Sequence, residues 1–333
     1  MKKQTFVRSG IVLSLAIFSL LTILISMGIG DMHIPPLEVV RTLFGQGSED
    51  HALVVNTLRL PRILVAFMAG IALAGAGALL QGLIRNPLAS PDIIGITSGA
   101  SVAAVFFITY LSPAVSIHWL PVAAMAGACI TSILMYVLSW KKGVTPIRLV
   151  LIGIGINFLL VSITKVMLVL NPLYSAGEAY LWLTGTVYGS SWGNVWTLLP
   201  CLLVFIPLAL LNARHVNVLQ LGDDIATGVG SAVERHRLVS LLISVALAGS
   251  AVAVAGGISF VGLIAPHMAR KLVGPSMRVV LPVSTLIGGL MLVLADLVAR
   301  TLFLPKDIPV GVFTAGIGAP FFIYLLYRNR NGR

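Results

Sequence analysis

Few side chains in this 333-residue chain have the types and spacing that do chemistry. The six histidines, His33, His51, His118, His215, His236 and His267, are scattered. No His-Glu-x-x-His run sets two imidazoles on one helical face, as a zinc hydrolase requires. Cys129 and Cys201 stand apart in apolar stretches without Cys-x-x-Cys spacing, which points to neither a disulfide framework nor a thiolate metal site. No lysine follows a glycine, so the Gly-x-x-x-x-Gly-Lys-Ser/Thr loop that cradles nucleotide phosphates does not occur. No catalytic residue and no metal ligand is assigned.

Ionisable residues inside apolar runs are costly and usually mark a pathway or a partner. Lys165 and Asp296 are the two such residues that stand out. Asp296 precedes Arg300 by four positions, a spacing that allows an ion pair on one helix. Lys165 lies shortly before Asn171-Pro172, and its long stem can snorkel to the headgroups. Two such residues make a thin proton relay for an ion-coupled secondary transporter, the reading from a different class. A membrane-embedded enzyme would need a paired acid and base, and none is visible.

Two polar segments carry more information. LQLGDDIATGVGSAVERHR, residues 219 to 237, reads as two short helices. Asp223 and Asp224 suit a helix N-terminus, Gly230 suits its end, and Ser231-Ala232-Val233-Glu234 has the spacing of a capping box. Such a compact element suits docking onto a separate soluble engine, and equally a well-capped surface loop. RNPLASPDIIGITSGA, residues 85 to 100, sets Asn86-Pro87 and Ser90-Pro91 in a turn where both prolines limit helix continuation.

The elements that must position these residues follow from composition. The chain is 58% hydrophobic and 10% charged, against about 25% charged in a soluble domain. That excludes a soluble protein. The net charge of +11 does not imply nucleic acid, because the positive residues punctuate apolar runs and form no stripe on a solvated face. At roughly 20 apolar residues per crossing there is room for about ten spans. They are expected near 9–29, 62–84, 93–112, 119–140, 148–170, 194–212, 238–256, 258–270, 279–299 and 310–327. The first resembles a signal peptide, but its run is long and no small-x-small site closes it, so an uncleaved span is expected.

Cytoplasmic loops keep an excess of Lys and Arg. With the N-terminus inside, Arg41, Arg59, Arg62, Arg300 and Lys306 fall outside, Lys165 falls in a span, and the remaining basic residues lie within the cell. One crossing over 238–270 would invert everything downstream and dilute that bias, so a turn near Gly256 and Gly257 is expected. The expected fold is therefore all-α and polytopic, with two five-span halves of opposite orientation, 1–213 and 238–333, around a cytoplasmic loop at 214–237. Ala66, Gly70, Ala74, Ala78 and Gly82 recur every four residues, as do Gly249, Ala253 and Gly257. Such stripes let backbones approach, within the chain or between subunits.

Long motifs in order give the sequence a family likeness: RLPR at 59–62, GALLQGLIRNPLASPDIIGITSGA at 77–100, LGDDIATGVGSAVERHR at 221–237, GISFVGLIAPHMAR at 257–270, LADLVAR at 294–300 and IPVGVFTAGIGAPFFIYLL at 308–326. Over nearly its whole length the chain resembles the membrane permease subunits of ABC importers for iron-siderophores, haem and vitamin B12. The resemblance implies a single permease domain of the type II importer kind, in a prokaryotic cell membrane with both termini cytoplasmic. It implies a like or sister permease, two cytoplasmic ATPases that use ATP and Mg, an extracellular or periplasmic substrate-binding protein, and no cofactor bound directly. Leu221, Gly222, Asp223, Asp224, Ala226, Gly228 and Gly230 would form the loop that docks into the ATPase. Arg59, Arg62 and Arg300 would meet acidic residues of the binding protein. Asn86 and Leu88 would lie at the cytoplasmic gate, with Thr145 to Ile147 near a second constriction. Pro146 and one additional residue before Arg148 depart from the family pattern there.

Overall fold

The computed structural model describes residues 2–141, 143–170, 173–303 and 305–330; the Asn171-Pro172 turn lies outside them. Helices make up the described chain. They are α1 (Lys2–Gly28), α2 (Pro36–Leu43), α3 (Glu49–Ile84), α4 (Ile96–Leu111), α5 (Ile117–Ser139), α6 (Pro146–Leu170) and α7 (Leu173–Thr184). After these come α8 (Trp192–Leu219), α9 (Asp223–Gly228), α10 (Val233–Ala255), α11 (Val261–Val273), α12 (Met277–Thr301) and α13 (Val310–Arg330). Helix is the only economical choice for these apolar runs, because backbone polar groups in hydrocarbon must be satisfied within the segment.

Eight of the helices are long and apolar enough to cross a membrane: α1, α3, α5, α6, α8, α10, α12 and α13. The other two expected spans are present but short. At 1.5 Å per residue α4 rises only about 24 Å and α11 about 20 Å, less than the ~30 Å hydrocarbon core. Each follows one of the most buried long helices, α3 or α10, after an irregular turn. The turn expected at Gly256 and Gly257 is there, with Gly256 at φ +71 just beyond the end of α10.

Helix α3 is the axis of the bundle, with α12, α10, α8 and α11 packed around it. Its stripe of small residues from Ala66 to Gly82 is buried. A Cβ on Gly70 would stand 2.2 Å from the carbonyl oxygen of Gly288 in α12, and one on Gly77 would stand 1.8 Å from that of Gly262 in α11. The stripe therefore serves packing within the chain. In contrast α1, α5, α6, α8 and α13 turn large apolar side chains such as Leu13, Ile130, Phe158, Leu211 and Ile323 outward, as lipid-facing helices do.

Two elements depart from the expected spans. The stretch 173–184, left outside the expected spans, is the helix α7; its 12 residues include Gly177 and Glu178 and are too few to read as a span. At the start of α3, Leu53–Arg59 winds as a π-helix that runs without a break into Leu60–Ile84.

Candidate functional site

The segment 221–230 folds into the one-and-a-half-turn helix α9 between two glycines in positive φ, Gly222 at +111 and Gly230 at +80. Only glycine adopts those angles readily, which explains why the motif carries it at both ends. Ala226 is fully buried against the neighbouring helices, while Leu221, Ile225 and Val229 are 60%, 56% and 67% exposed. Leu221 precedes the helix, Ile225 lies on it and Val229 follows its last residue, so exposed apolar side chains stand at both ends and in the middle of this short element. Asp224 and Gly228 are also exposed.

Asp223 points the other way. Its two carboxylate oxygens each accept from Nη2 of Arg237 at 2.9 Å, and Arg85 Nη2 lies 3.4 Å from Oδ1. Arg237 is 2% exposed and also donates through Nη1 to Glu234 Oε1 at 2.9 Å and to the carbonyl of Val144. Glu234 Oε2 accepts from the Val144 amide at 3.2 Å. The capping box expected at Ser231 to Glu234 does not form. Ala232 is the residue before α10 and Glu234 is drawn to Arg237 and Val144 instead.

The two turns reached in this way are the ones expected to hold the gates. Arg85 ends α3 in the left-handed region at φ +57, and Asn86 Oδ1 then accepts from the Leu88 amide at 2.9 Å. Asn86 is exposed and Leu88 half-buried. At the second turn Val144 pairs with Trp140, and Arg148 Nη1 donates to the carbonyls of Ser139, Lys141 and Gly143 at 3.2–3.3 Å. Thr145 is half-buried, Pro146 buried and Ile147 exposed.

Between the ends of the bundle, Asp92 joins the two short helices. Its Oδ1 accepts from Thr97 Oγ1 at 3.0 Å in the first turn of α4, and its Oδ2 accepts from the amide of Phe260 at 3.3 Å, just before α11. Both contacts lie where a helix N-terminus favours negative charge. Gly262 faces Leu73 and Gly77, in the last third of α3, so α11 begins packed against that helix. With α4 it forms the pair of interrupted helices that transporters place near the midplane.

At the opposite end, Arg59, Arg62 and Arg300 are engaged within the chain. Arg59 is buried and donates to the carbonyls of Met27 and Met32 at 2.7 and 2.6 Å, closing the end of α1. Arg300 is buried and donates to Ser26 through its carbonyl and its hydroxyl. Its Nε lies 3.8 Å from Asp296 Oδ2, so the expected pair on α12 is a loose one. Arg62 holds Asp296 more tightly, at 2.7 and 2.9 Å, and also takes Asp307 at 2.5 and 3.0 Å. Lys165 is exposed on α6. His215 and His236 stack with ring centroids 3.6 Å apart, but among the described residues no three His, Cys, Asp or Glu side chains cluster as metal ligands.

Sequence reading named Asp223 but missed its partners Arg85 and Arg237 and the contacts of Arg237 with Glu234 and Val144, and it missed Asp92 as a half-buried acid between two helices. The acidic pair next to a buried arginine had a faint signal, since Arg237 closes a motif that is otherwise exposed.

A bundle of apolar helices with interrupted segments at its centre and a capped polar helix at one end defines a membrane permease. Residues 17–328 match the model of the FecCD transport family, and the chain belongs to that family. It is 48% identical to the achromobactin transport system permease protein CbrC of Dickeya dadantii over 96% of this chain and 91% of that one. It is 43% identical to the iron(3+)-hydroxamate import system permease protein FhuG of Bacillus subtilis, covering 91% and 92% of the two chains. Among solved structures, an inward-facing metal-chelate type ABC transporter matches with TM-score 0.86 and 30% identity over 96% of this chain and 99% of that one. The two relatives are permease proteins of transport and import systems and the solved structure is of an ABC transporter, which does not favour the ion-coupled secondary transporter.

Proposed function

We propose that this chain is the permease subunit that carries an iron(III)-siderophore chelate into the cytoplasm by ATP-driven alternating access. The relatives named for achromobactin and hydroxamate uptake support the cargo class. The iron travels inside its chelator, so the path needs soft contacts for a large polar ligand and no set of His, Cys or carboxylate ligands.

The observation that carries the reading is the set of exposed apolar side chains on and beside α9: Leu221, Ile225 and Val229. An exposed apolar patch on a polar end of a membrane protein is a docking surface, and here it would fit a groove on a separate ATPase. The bias of basic residues supports a cytoplasmic position for this end and for both termini. Two ATPases, each gripping one such helix in a pair of like or sister permeases, would hydrolyse ATP with Mg and rock the bundle between outward-open and inward-open forms. Asn86 and Leu88, with Thr145 to Ile147, would close the path at the cytoplasmic end of a prokaryotic cell membrane.

At the other end an extracellular or periplasmic binding protein would deliver the chelate. Arg59, Arg62 and Arg300 would order the surface it meets, and Arg62, whose partner Asp307 is 22% exposed, could exchange that partner for an incoming carboxylate. The test is to reconstitute the full complex in vesicles and add candidate binding proteins loaded with hydroxamate, catecholate or carboxylate ferric siderophores, haem or cobalamin. A ferric siderophore should stimulate ATP hydrolysis; stimulation by cobalamin or haem alone would overturn the cargo.

A further inference from the structure

We propose that Arg237 is a positioning residue that ties the movement of α9 to the two turns at Asn86 and Thr145. The inference rests on the reading of α9 as the helix on which the ATPases act, and adds the route by which their work reaches the path.

The geometry is that of a clamp with Arg237 at its centre. Its Nη2 holds both oxygens of Asp223, the first residue of α9. Its Nη1 holds Glu234 and the carbonyl of Val144. Glu234 returns the grip by accepting from the amide of the same Val144, so that residue is fixed through both of its backbone groups. Val144 is itself locked in a small rigid turn by its pairing with Trp140 and by the three carbonyl contacts of Arg148. A pull on α9 therefore moves the α5–α6 turn as a unit. On the far side Asp223 meets Arg85, which immediately precedes Asn86.

The energetics favour a relay over a passive fastening. Arg237 is the largest fully buried side chain among the described residues, 2% exposed, and stands among two acids and a carbonyl that balance its charge. A planar guanidinium can hold several acceptors at fixed angles, which a lysine cannot. Its Nε is buried without a hydrogen-bond partner. A donor left unmade at such a depth is costly, so the site has a spare bond to make when α9 shifts and its partners rearrange. A polar cluster that joins two moving elements carries coupling between them when its contacts have a second arrangement.

The experiment measures ATP hydrolysis and chelate uptake in the same vesicles, with the complete complex and loaded binding protein. For Arg237→Gln we expect hydrolysis within about twofold of the parent and uptake per ATP lower by about tenfold, with Arg237→Lys recovering part of the loss. Parallel loss of uptake and hydrolysis would make Arg237 a structural residue only, and unchanged uptake per ATP would remove the relay; either overturns the proposal. If Arg237→Gln does not accumulate in the membrane, Glu234→Ala, which frees the Val144 amide but keeps Arg237 on Asp223, should show the same fall in uptake per ATP, and a normal ratio would overturn the relay. Failure of the underlying reading looks different: the parent complex would then take up chelate at the same rate without its ATPases.

Discussion

Arg62 and Asp296 are separated by 234 positions, yet Nε and Nη2 of the arginine both donate to one carboxylate oxygen, at 2.9 and 2.7 Å. The acid is fully buried and would be an uncompensated charge without this partner. Arg300 and Asp307 complete the cluster, which fastens α3, α12 and the segment after α12 to one another and, through Ser26, to α1. Asp296→Ala removes the acid that Arg62 and Arg300 share, leaving Arg62 on Asp307 and Arg300 on Ser26 with no buried counter-charge between them. Breaking a buried pair from one side costs about 3–5 kcal/mol, so the variant should unfold at a clearly lower temperature in detergent. An unchanged unfolding temperature would show that the cluster contributes nothing to the fold.

Arg62→Glu should weaken the outer surface in two ways, by repelling Asp296 and Asp307 and by removing the cation available to an acidic partner. The affinity of the binding protein, measured on vesicles, should fall by about tenfold or more, since like charges in contact cost more than 1 kcal/mol. Equal affinity for parent and variant would take Arg62 out of docking.

The α9 face makes a prediction of the opposite kind. Leu221, Ile225 and Val229 touch little within the chain, so replacing all three with Ser should leave the unfolding temperature nearly unchanged, each exposed site contributing within about 0.5 kcal/mol. Co-purification with the ATPases should be lost. A variant that retains its ATPases would show that another surface holds them.

Gly77 lies against the backbone of Gly262, with 1.8 Å between a Cβ and the carbonyl oxygen. Backbone cannot yield as a flexible side chain can. Gly77→Val should therefore fail to give folded protein in the membrane, because overpacking costs about 1–3 kcal/mol or more where neighbours cannot move. Normal yield and unfolding temperature would mean that α3 and α11 separate easily.

Asp92 binds the starts of α4 and α11 together. Asp92→Ala removes two acceptor contacts and leaves the Phe260 amide inside the bundle, a loss of about 1–3 kcal/mol. Amide hydrogen exchange at residues 256–264 should accelerate, and Thr97→Val should have a smaller effect there. Unchanged exchange in Asp92→Ala would separate the two short helices from this acid.

The spans were legible because hydrocarbon imposes one pattern, a long apolar run bounded by charge, and the α9 segment was legible because Gly222 and Gly230 bound it with acids between. Helix α7 was hidden by Gly177 and Glu178, which interrupt an apolar run too short to cross a bilayer. The environment of the three outer arginines was hidden for a different reason. Arg59 and Arg300 bond to carbonyls of α1, and a backbone carbonyl leaves no trace in sequence. They therefore looked like free cations facing outward. Arg237 was obscured by distance along the chain, since Val144 is 93 positions away. Asp92 sat in a proline-rich turn with no partner marked in sequence, and only the meeting of α4 and α11 makes it a half-buried acid that joins them.

The central claim is that this permease is driven from its α9 end by separate ATPases. The most direct measurement is uptake of a radiolabelled ferric siderophore into vesicles holding the permease pair, with loaded binding protein, in the presence or absence of ATPases and ATP. Uptake that requires both, and that stops when Leu221, Ile225 and Val229 are replaced, is the expected result. Uptake by the permease alone under an imposed ion gradient would contradict it.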